Sequence, residues 1–133
     1  MKHLGIALTT ILILLLLSVA ASAQVNASGK ITLLRVHDLG TGYGPPSDFI
    51  DVEAVLWLDS QPGKAFGFQL RNDQFLPARQ GMLDLLRDAF ANNWNVSIDY
   101  LMPAGHTNNF VLIRAWATKP AVNPIVIHPA ANP

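Results

Sequence analysis

A single amphipathic helix, predicted over residues 77–93, interrupts a chain that is otherwise rich in strand-forming segments. At the helical period of about 100° per residue, its apolar and polar residues separate onto opposite faces. The apolar face comprises Met82, Leu83, Leu85, Leu86, Ala89 and Phe90, and the polar face comprises Gln80, Asp84, Arg87 and Asp88. Three strand-like segments precede this helix and two follow it. The order of the elements therefore constrains the fold more than any single residue does.

The five strands are predicted from β-branched, aliphatic and aromatic residues bounded by turn-forming residues. They span residues 31–38, 49–59, 65–71, 94–101 and 109–119. The second shows the clearest alternation, with Ile50, Val52, Ala54, Leu56 and Leu58 on one side. In the third, Gly67 stands between two phenylalanines and predicts a bulge or a close backbone contact.

This order predicts a mainly β domain with one helix, arranged β-β-β-α-β-β. It is the order of the OB-fold, a five-stranded barrel. In that fold the helix lies between the third and fourth strands and plugs one end of the barrel. An open sheet with the helix on one face uses the same elements. However, one short helix covers too little of a sheet whose strands carry this much apolar surface. The sequence therefore favours a five-stranded OB-fold-like barrel.

The N-terminal residues predict a secretory signal peptide. A basic start at Lys2 is followed by an apolar run from Leu4 to Ala21, and the small residues Ala21 and Ala23 predict cleavage after Ala23. The apolar run is also long enough to serve as an uncleaved membrane anchor. The predicted division is therefore a signal peptide (1–23), an OB-fold-like domain (24–119) and a proline-rich extended tail (120–133).

Composition favours an exported bacterial protein that does not bind nucleic acid. The chain contains no cysteine, whereas small exported eukaryotic domains often carry disulfides. A secreted or periplasmic location, with no membrane association after cleavage, is expected. The chain has nine Lys and Arg against nine Asp and Glu, so it lacks the positive charge that attracts a polyanion.

Two loops are predicted to border a ligand site. In an OB-fold, the loops between strands one and two and between strands four and five flank the ligand-binding face. Here these loops are residues 39–48 (LGTGYGPPSD) and 102–108 (MPAGHTN). The first either offers backbone N–H groups and a stacking ring to a sugar or peptide, or only shapes a turn. The predicted ligand-binding residues are Thr41, Tyr43, Trp57 and His106.

Motifs for catalysis and metal binding are absent from the sequence. The acidic residues around the long loop, Asp38, Asp48, Asp51 and Glu53, lack the spacing of a calcium loop. The histidines lack the paired spacing of a zinc site. There is no serine nucleophile elbow and no cysteine nucleophile. We therefore predict no catalytic residue, no metal and no cofactor.

Aromatic residues on the predicted outer faces of the strands indicate an interaction surface. If aliphatic residues fill the inner faces, Trp57 and Trp116 point outward, and Trp116 shares its face with Phe110 and Arg114. Aromatic residues near an arginine are frequent at protein interfaces. Alternatively, they pack beneath the tail. The predicted interface residues are Phe110, Arg114 and Trp116.

By architecture alone, residues 30–119 resemble the B subunits of bacterial AB5 toxins, which are small exported OB-fold domains with the helix in this position. The chain differs from them in having no disulfide. The resemblance implies a homo-oligomer that binds carbohydrate, but no binding residue carries over. We expect a secreted, non-catalytic module that binds a carbohydrate or glycoconjugate. The alternative is a structural or adaptor protein that docks a protein partner through exposed tryptophans and the tail.

Overall fold

The computed structural model describes residues 22–121. Most of the predicted signal peptide and of the predicted tail lies outside these described residues. The elements are β1 (Ala23–Val36), a short 3-10 helix (Pro46–Asp48), β2 (Ala54–Leu58), β3 (Ala65–Phe68), α1 (Leu76–Ala91), β4 (Asn95–Met102) and β5 (Asn109–Thr118). The prediction of a mainly β domain with one α-helix is confirmed for the described part of the chain.

The five strands pair in a ring. β1 pairs antiparallel with β2 through one half and with β4 through the other. β2 pairs antiparallel with β3, and β4 with β5. A parallel pairing between β3 and β5 completes the ring, so the sheet forms a closed barrel in the order β1-β2-β3-β5-β4.

The first strand starts earlier than the sequence predicts. Residues 24–30, which precede the predicted first strand (31–38), form the first half of β1 and pair with β4. The buried positions in this half include Ala27 and Gly29, which alternate with exposed polar residues. Because these buried residues are small, they lack the β-branched bulk by which a strand is recognised in sequence.

The start of the predicted second strand instead forms part of the loop between β1 and β2. Ile50 makes an isolated bridge with Tyr43, and Ile50 and Val52 pack with Val55 and Ala65 in a small second cluster. A Cβ atom on Gly67 of β3 would lie 2.5 Å from Val52 Cγ2 and 3.0 Å from a backbone oxygen. The prediction of a close backbone contact at Gly67 is therefore confirmed, and this contact lets the loop cover β3.

The main core fills the barrel and includes one side of α1. Phe66, Tyr100 and Phe110 form an aromatic cluster in it, with ring centroids 4.8 to 5.9 Å apart. The helix contributes Leu86 and Ala89, which are fully buried. The four predicted polar-face residues of the helix are exposed as expected. No helix described within residues 22–121 has the length and apolar composition needed to cross a membrane.

The prediction that Phe110 lies on an outer interface face is wrong. The pairing of β4 with β5 shifts register, with Asp99 opposite Arg114 but Tyr100 opposite Leu112, so that Ile113 is an extra residue. One extra residue reverses the inward and outward alternation of a strand. Phe110 therefore points into the core and is 0% exposed, whereas Trp116 is 41% exposed on the outer surface.

Candidate ligand-binding site

An open pocket of about 330 Å³ lies on the outer surface of the barrel between Tyr43 and Trp57. Its wall combines residues of β1, β2, the turn between β2 and β3, the long loop between β1 and β2, and the first residues of β3 and β5. The side chains with aromatic or polar groups in this wall are Thr32, Tyr43, Trp57, Asp59, Gln61 and Asn109. The volume is at the low end of the range of small-molecule sites, about 300–1,000 Å³.

Trp57 is presented to the pocket by the alternation of β2. Its neighbours Leu56 and Leu58 point into the core, while Trp57 is 42% exposed. The backbone of Trp57 pairs with Leu33 of β1, so Trp57 belongs to a strand segment that is held by its neighbour in the sheet. The prediction that Trp57 points outward is confirmed. A rigid strand supports this side chain, which limits the conformational entropy lost when a ligand binds.

Tyr43 also lines the pocket and is held by the loop between β1 and β2. Its N–H donates to the Ile50 carbonyl and its carbonyl accepts from the Ile50 N–H, both at 2.8 Å. The next residue, Gly44, has φ of +98°, a conformation that residues with a Cβ rarely adopt. The Arg35 guanidinium lies 5.3 Å from the centre of the Tyr43 ring. The half-buried Tyr43 is thus fixed by both its backbone and its ring.

The buried carboxylate of Asp48 joins the two loops that flank the site. It accepts hydrogen bonds from the backbone N–H groups of Thr107, Asn108 and Asn109, at 3.3, 2.9 and 3.3 Å. In return, the side-chain amide of Asn109 donates to the Asp48 carbonyl at 2.7 Å. A buried carboxylate requires such donors to offset its loss of hydration. The result is a fixed position for Asn109 on the pocket wall.

His106 and Thr41 do not line this pocket, although the sequence predicts both as ligand-binding residues. The Nδ1 atom of His106 donates to the Asn109 carbonyl at 3.0 Å and lies 3.2 Å from Asp48 Oδ1. His106 therefore contacts the backbone of Asn109 and does not itself line the pocket. Thr41 Oγ1 donates to the Asp38 carbonyl at 2.7 Å and contacts His37 Nδ1. These contacts hold Thr41 against His37 and Asp38, and Thr41 is not among the residues that line the pocket.

Asp59 and Gln61 are pocket residues that the sequence analysis missed. The structure places both between β2 and β3. The sequence predicts Asp59 as the last residue of the second strand and Gln61 in the turn after it, and neither as a ligand-binding residue. Asp59 Oδ1 accepts a hydrogen bond of 2.8 Å from the backbone N–H of Lys30. A Cβ atom on the neighbouring Gly29 would lie 2.5 Å from the same oxygen. The sequence signal that could have identified them is the position of two polar residues, Asp59 and Gln61, directly after the strand that carries Trp57.

Three of the four acidic residues around the long loop, Asp48, Asp51 and Glu53, have protein partners for their carboxylates. Arg71 forms ion pairs with both Asp51 and Glu53, and these bonds, that of Asp51 first, raise the pKa of Arg71. The buried Glu53 also accepts a hydrogen bond of 2.9 Å from the Leu70 N–H. Within residues 22–121, no group of three or more His, Cys, Asp or Glu residues is arranged to hold a metal ion.

Trp116 lies on a different outer surface, formed by β1, β4 and β5. Its surroundings are polar: Arg114 Nη1 lies 3.1 Å from Asp99 Oδ2, and Ser28 Oγ lies 2.6 Å from Ser97 Oγ. Trp116 and Arg114 are both exposed there. Trp116 does not line the pocket that contains Trp57, so the two tryptophans belong to separate surfaces.

A second depression, of about 510 Å³, lies between the start of α1 and β5. It is mainly apolar, with Phe68, Met82 and Val111 in its wall. At its margin, Phe75 and Ile113 are 53% and 42% exposed. Its lining includes charged residues, Asp51 and Arg79, but no tryptophan. We call the pocket lined by Tyr43 and Trp57 the aromatic pocket. The groove beside α1 differs from it in being lined mainly by aliphatic and phenylalanine side chains.

The chain matches no protein-family model, no curated protein and no solved structure.

Proposed function

We propose that the protein is an exported, non-catalytic OB-fold module that binds a carbohydrate or glycoconjugate between Tyr43 and Trp57. One observation carries this proposal: two aromatic rings share a pocket with the hydrogen-bonding side chains of Asp59, Gln61 and Asn109. A sugar ring has apolar C–H faces and hydroxyl groups around its edge. Aromatic rings contact the faces, while carboxylate and amide groups bond the hydroxyls and fix their orientation.

The OB-fold assignment is supported by the connectivity of the barrel. The strand order β1-β2-β3-β5-β4, with a parallel β3–β5 pair, leaves α1 between β3 and β4 in the chain. Leu86 and Ala89 of this helix belong to the same apolar core as the barrel interior. The aromatic pocket uses residues from β2 and from the loop between β1 and β2, a region that OB-folds use for oligosaccharides and oligonucleotides.

The chemistry of the pocket wall supports binding rather than catalysis. General acid–base catalysis of glycoside hydrolysis uses a pair of carboxyl groups across the scissile bond. Among the described residues that line the pocket, Asp59 is the only carboxylate, and none is a histidine or cysteine. The nearby buried carboxylate of Asp48 is occupied by three backbone N–H groups. The wall thus offers hydrogen-bonding groups and aromatic surface, but it has no second carboxyl group that could act with Asp59 in glycoside hydrolysis.

A glycan array probed with the purified protein tests the proposal. We expect at least one class of glycan to bind, and Tyr43→Ala to weaken that binding by removing one wall of the pocket. Thr41→Ala is the matched control in the same loop, because Thr41 does not line the pocket. The proposal fails if no glycan binds on the array or, free in solution, at millimolar concentration. It also fails if both substitutions have the same effect.

A second candidate function, as a structural or adaptor protein, is supported by the apolar groove beside α1. The exposed Phe75 and Ile113 border this groove, and exposed apolar surface is typical of protein interaction sites. Light scattering of the purified protein and of Ile113→Asp tests it. A homo-oligomer that Ile113→Asp dissociates would support this function, and a monomer in both cases would count against self-association through the groove.

A further inference from the structure

We infer that the ligand of the aromatic pocket is an amino sugar, a hexose that carries a free ammonium group. This inference rests on the proposed carbohydrate binding and goes one step further, to the charge of the ligand. The observation behind it is the charge of the pocket wall. Among the described residues that line the pocket, Asp59 is the only one that is charged, and the other polar side chains, such as Gln61 and Asn109, are neutral.

The carboxylate of Asp59 is held in place before any ligand arrives. Its Oδ1 atom accepts a hydrogen bond of 2.8 Å from the Lys30 N–H, and the Asp59 N–H donates to the Lys30 carbonyl at 3.0 Å. The missing side chain at Gly29 leaves space for this approach, because a Cβ there would lie 2.5 Å from Asp59 Oδ1. A carboxylate fixed in this way binds a cationic donor more strongly than a neutral one.

The two aromatic rings favour the same kind of ligand. The face of a tryptophan or tyrosine ring attracts an ammonium group through its quadrupole, and it also packs against the C–H face of a sugar. Tyr43 and Trp57 therefore add to the preference that Asp59 establishes. An anionic sugar such as a uronic acid would meet a carboxylate in the pocket, and the like charges would repel.

Three positive residues lie beside the site and define the competing outcome. Lys64 lies between the lining residues Gly63 and Ala65, and the backbone N–H of Lys30 binds Asp59. The guanidinium of Arg35 is 5.3 Å from the centre of the Tyr43 ring, although Arg35 does not line the pocket. If these positive residues rather than Asp59 dominated the local potential, the pocket would select anionic sugars. Asp59 and its cationic neighbours thus lead to opposite expectations for the same series of ligands.

The experiment uses matched methyl glycosides that differ in one substituent, in both the gluco and galacto configurations. These are the neutral hexoside, the hexosaminide with its amine protonated, the N-acetylated hexosaminide and the hexuronide. Each is titrated into the purified protein while the indole N–H resonance of Trp57 is followed by NMR. We expect the protonated hexosaminide to bind at least about tenfold more tightly than the neutral hexoside. The N-acetylated sugar, which keeps the nitrogen without its charge, should bind like the neutral one.

Asp59→Asn isolates the charge, because asparagine keeps the shape of the side chain and an acceptor oxygen. We expect this variant to bind the hexosaminide and the neutral hexoside within about twofold of each other. Gln61→Ala removes an uncharged hydrogen-bonding group from the same pocket, so it should weaken binding of both sugars alike and keep the ratio of their affinities. Raising the pH until the amine of the sugar is neutral should remove the preference from the wild-type protein.

The outcomes separate this inference from the proposed function. Equal affinity for the neutral and amino sugars, or tighter binding of the hexuronide, overturns the amino-sugar inference and leaves carbohydrate binding intact. A preference that persists in Asp59→Asn also overturns it. If no glycoside shifts the Trp57 resonance at millimolar concentration, both the inference and the proposed function fail.

Discussion

The side chain of Asp48 and the backbone of Asn108, which are 60 residues apart in the chain, are joined by a hydrogen bond of 2.9 Å. The same buried carboxylate accepts from the N–H groups of Thr107 and Asn109. This contact links the loop between β1 and β2, which carries Tyr43, to the start of β5, which carries Asn109. The shape of the pocket therefore depends on a residue that does not line it.

We predict that Asp48→Ala lowers the free energy of unfolding by about 3 kcal/mol, because buried backbone N–H groups lose their acceptor. Asp48→Asn should cost less, since the amide oxygen still accepts. The control is Asp84→Ala, which removes an exposed ion pair with Arg87 on α1 and should cost less than about 0.5 kcal/mol. Urea denaturation measures all three variants. Equal stability of Asp48→Ala and Asp84→Ala would show that Asp48 does not hold the loops together.

Gly67 and Gly81 should respond in opposite directions to alanine. A Cβ atom at Gly67 would lie 2.5 Å from Val52 Cγ2, whereas one at Gly81 on α1 would meet no atom within 4 Å. We expect Gly67→Ala to lower the free energy of unfolding by about 2 kcal/mol through overpacking. Gly81→Ala should raise it by about 0.5–1 kcal/mol, because alanine has the higher helix propensity. Thermal unfolding of the two variants provides the comparison, and a shift of the same sign in both would contradict the packing described around Gly67.

Ionisation of Tyr100 should lower the free energy of unfolding at alkaline pH. Burial raises the pKa of Tyr100 above its ordinary value of 10.0, since the ionised phenolate is poorly solvated in the core. Above pH 10.0 the unfolded chain therefore loses this proton before the folded protein does, and the stability falls as the pH rises. Tyr100→Phe removes the ionisable group, so its stability should fall less over the same range. Denaturation at a series of alkaline pH values measures the difference, and identical slopes for both proteins would contradict the assignment.

Periodicity in the sequence predicted the elements in which one pattern runs unbroken. The helix was predicted within two residues of its observed bounds, Leu76–Ala91, because its apolar residues repeat at the helical period. In residues 50–58 the alternation holds only in part. Ile50, Val52 and Leu56 are buried as predicted, but Val55 on the opposite side is buried too, because it packs with Ile50 and Val52. The prediction failed at Phe110, because the extra residue Ile113 reverses the alternation and no local sequence signal marks that bulge.

The pocket could be predicted only in part, because its wall is assembled from segments distant in the chain. Tyr43 and Trp57 were identified since each is a large aromatic residue in a predicted loop or on a predicted outer face. Asn109 and Asp59 were not identified, because their positions depend on long-range contacts. Asn109 is placed by Asp48, and Asp59 is placed by the backbone of Lys30. Such contacts follow from the tertiary structure and leave no periodic pattern in the sequence.

Trp57 and Trp116 offer the most direct comparison for the central claim, that sugar binds beside Trp57. The two residues are 42% and 41% exposed. Replacement of either by alanine therefore removes a similar area of exposed indole. They differ in that only Trp57 lines the aromatic pocket. Any loss of binding that is specific to Trp57 therefore reports on the pocket.

The decisive measurement is the affinity of the tightest-binding glycan for the wild-type protein, Trp57→Ala and Trp116→Ala, by isothermal titration calorimetry. We predict that Trp57→Ala weakens binding at least about tenfold, equivalent to about 1.4 kcal/mol. Trp116→Ala should leave the affinity within about twofold of the wild-type value. Unchanged affinity in Trp57→Ala, or an equal loss in the two variants, would contradict the account.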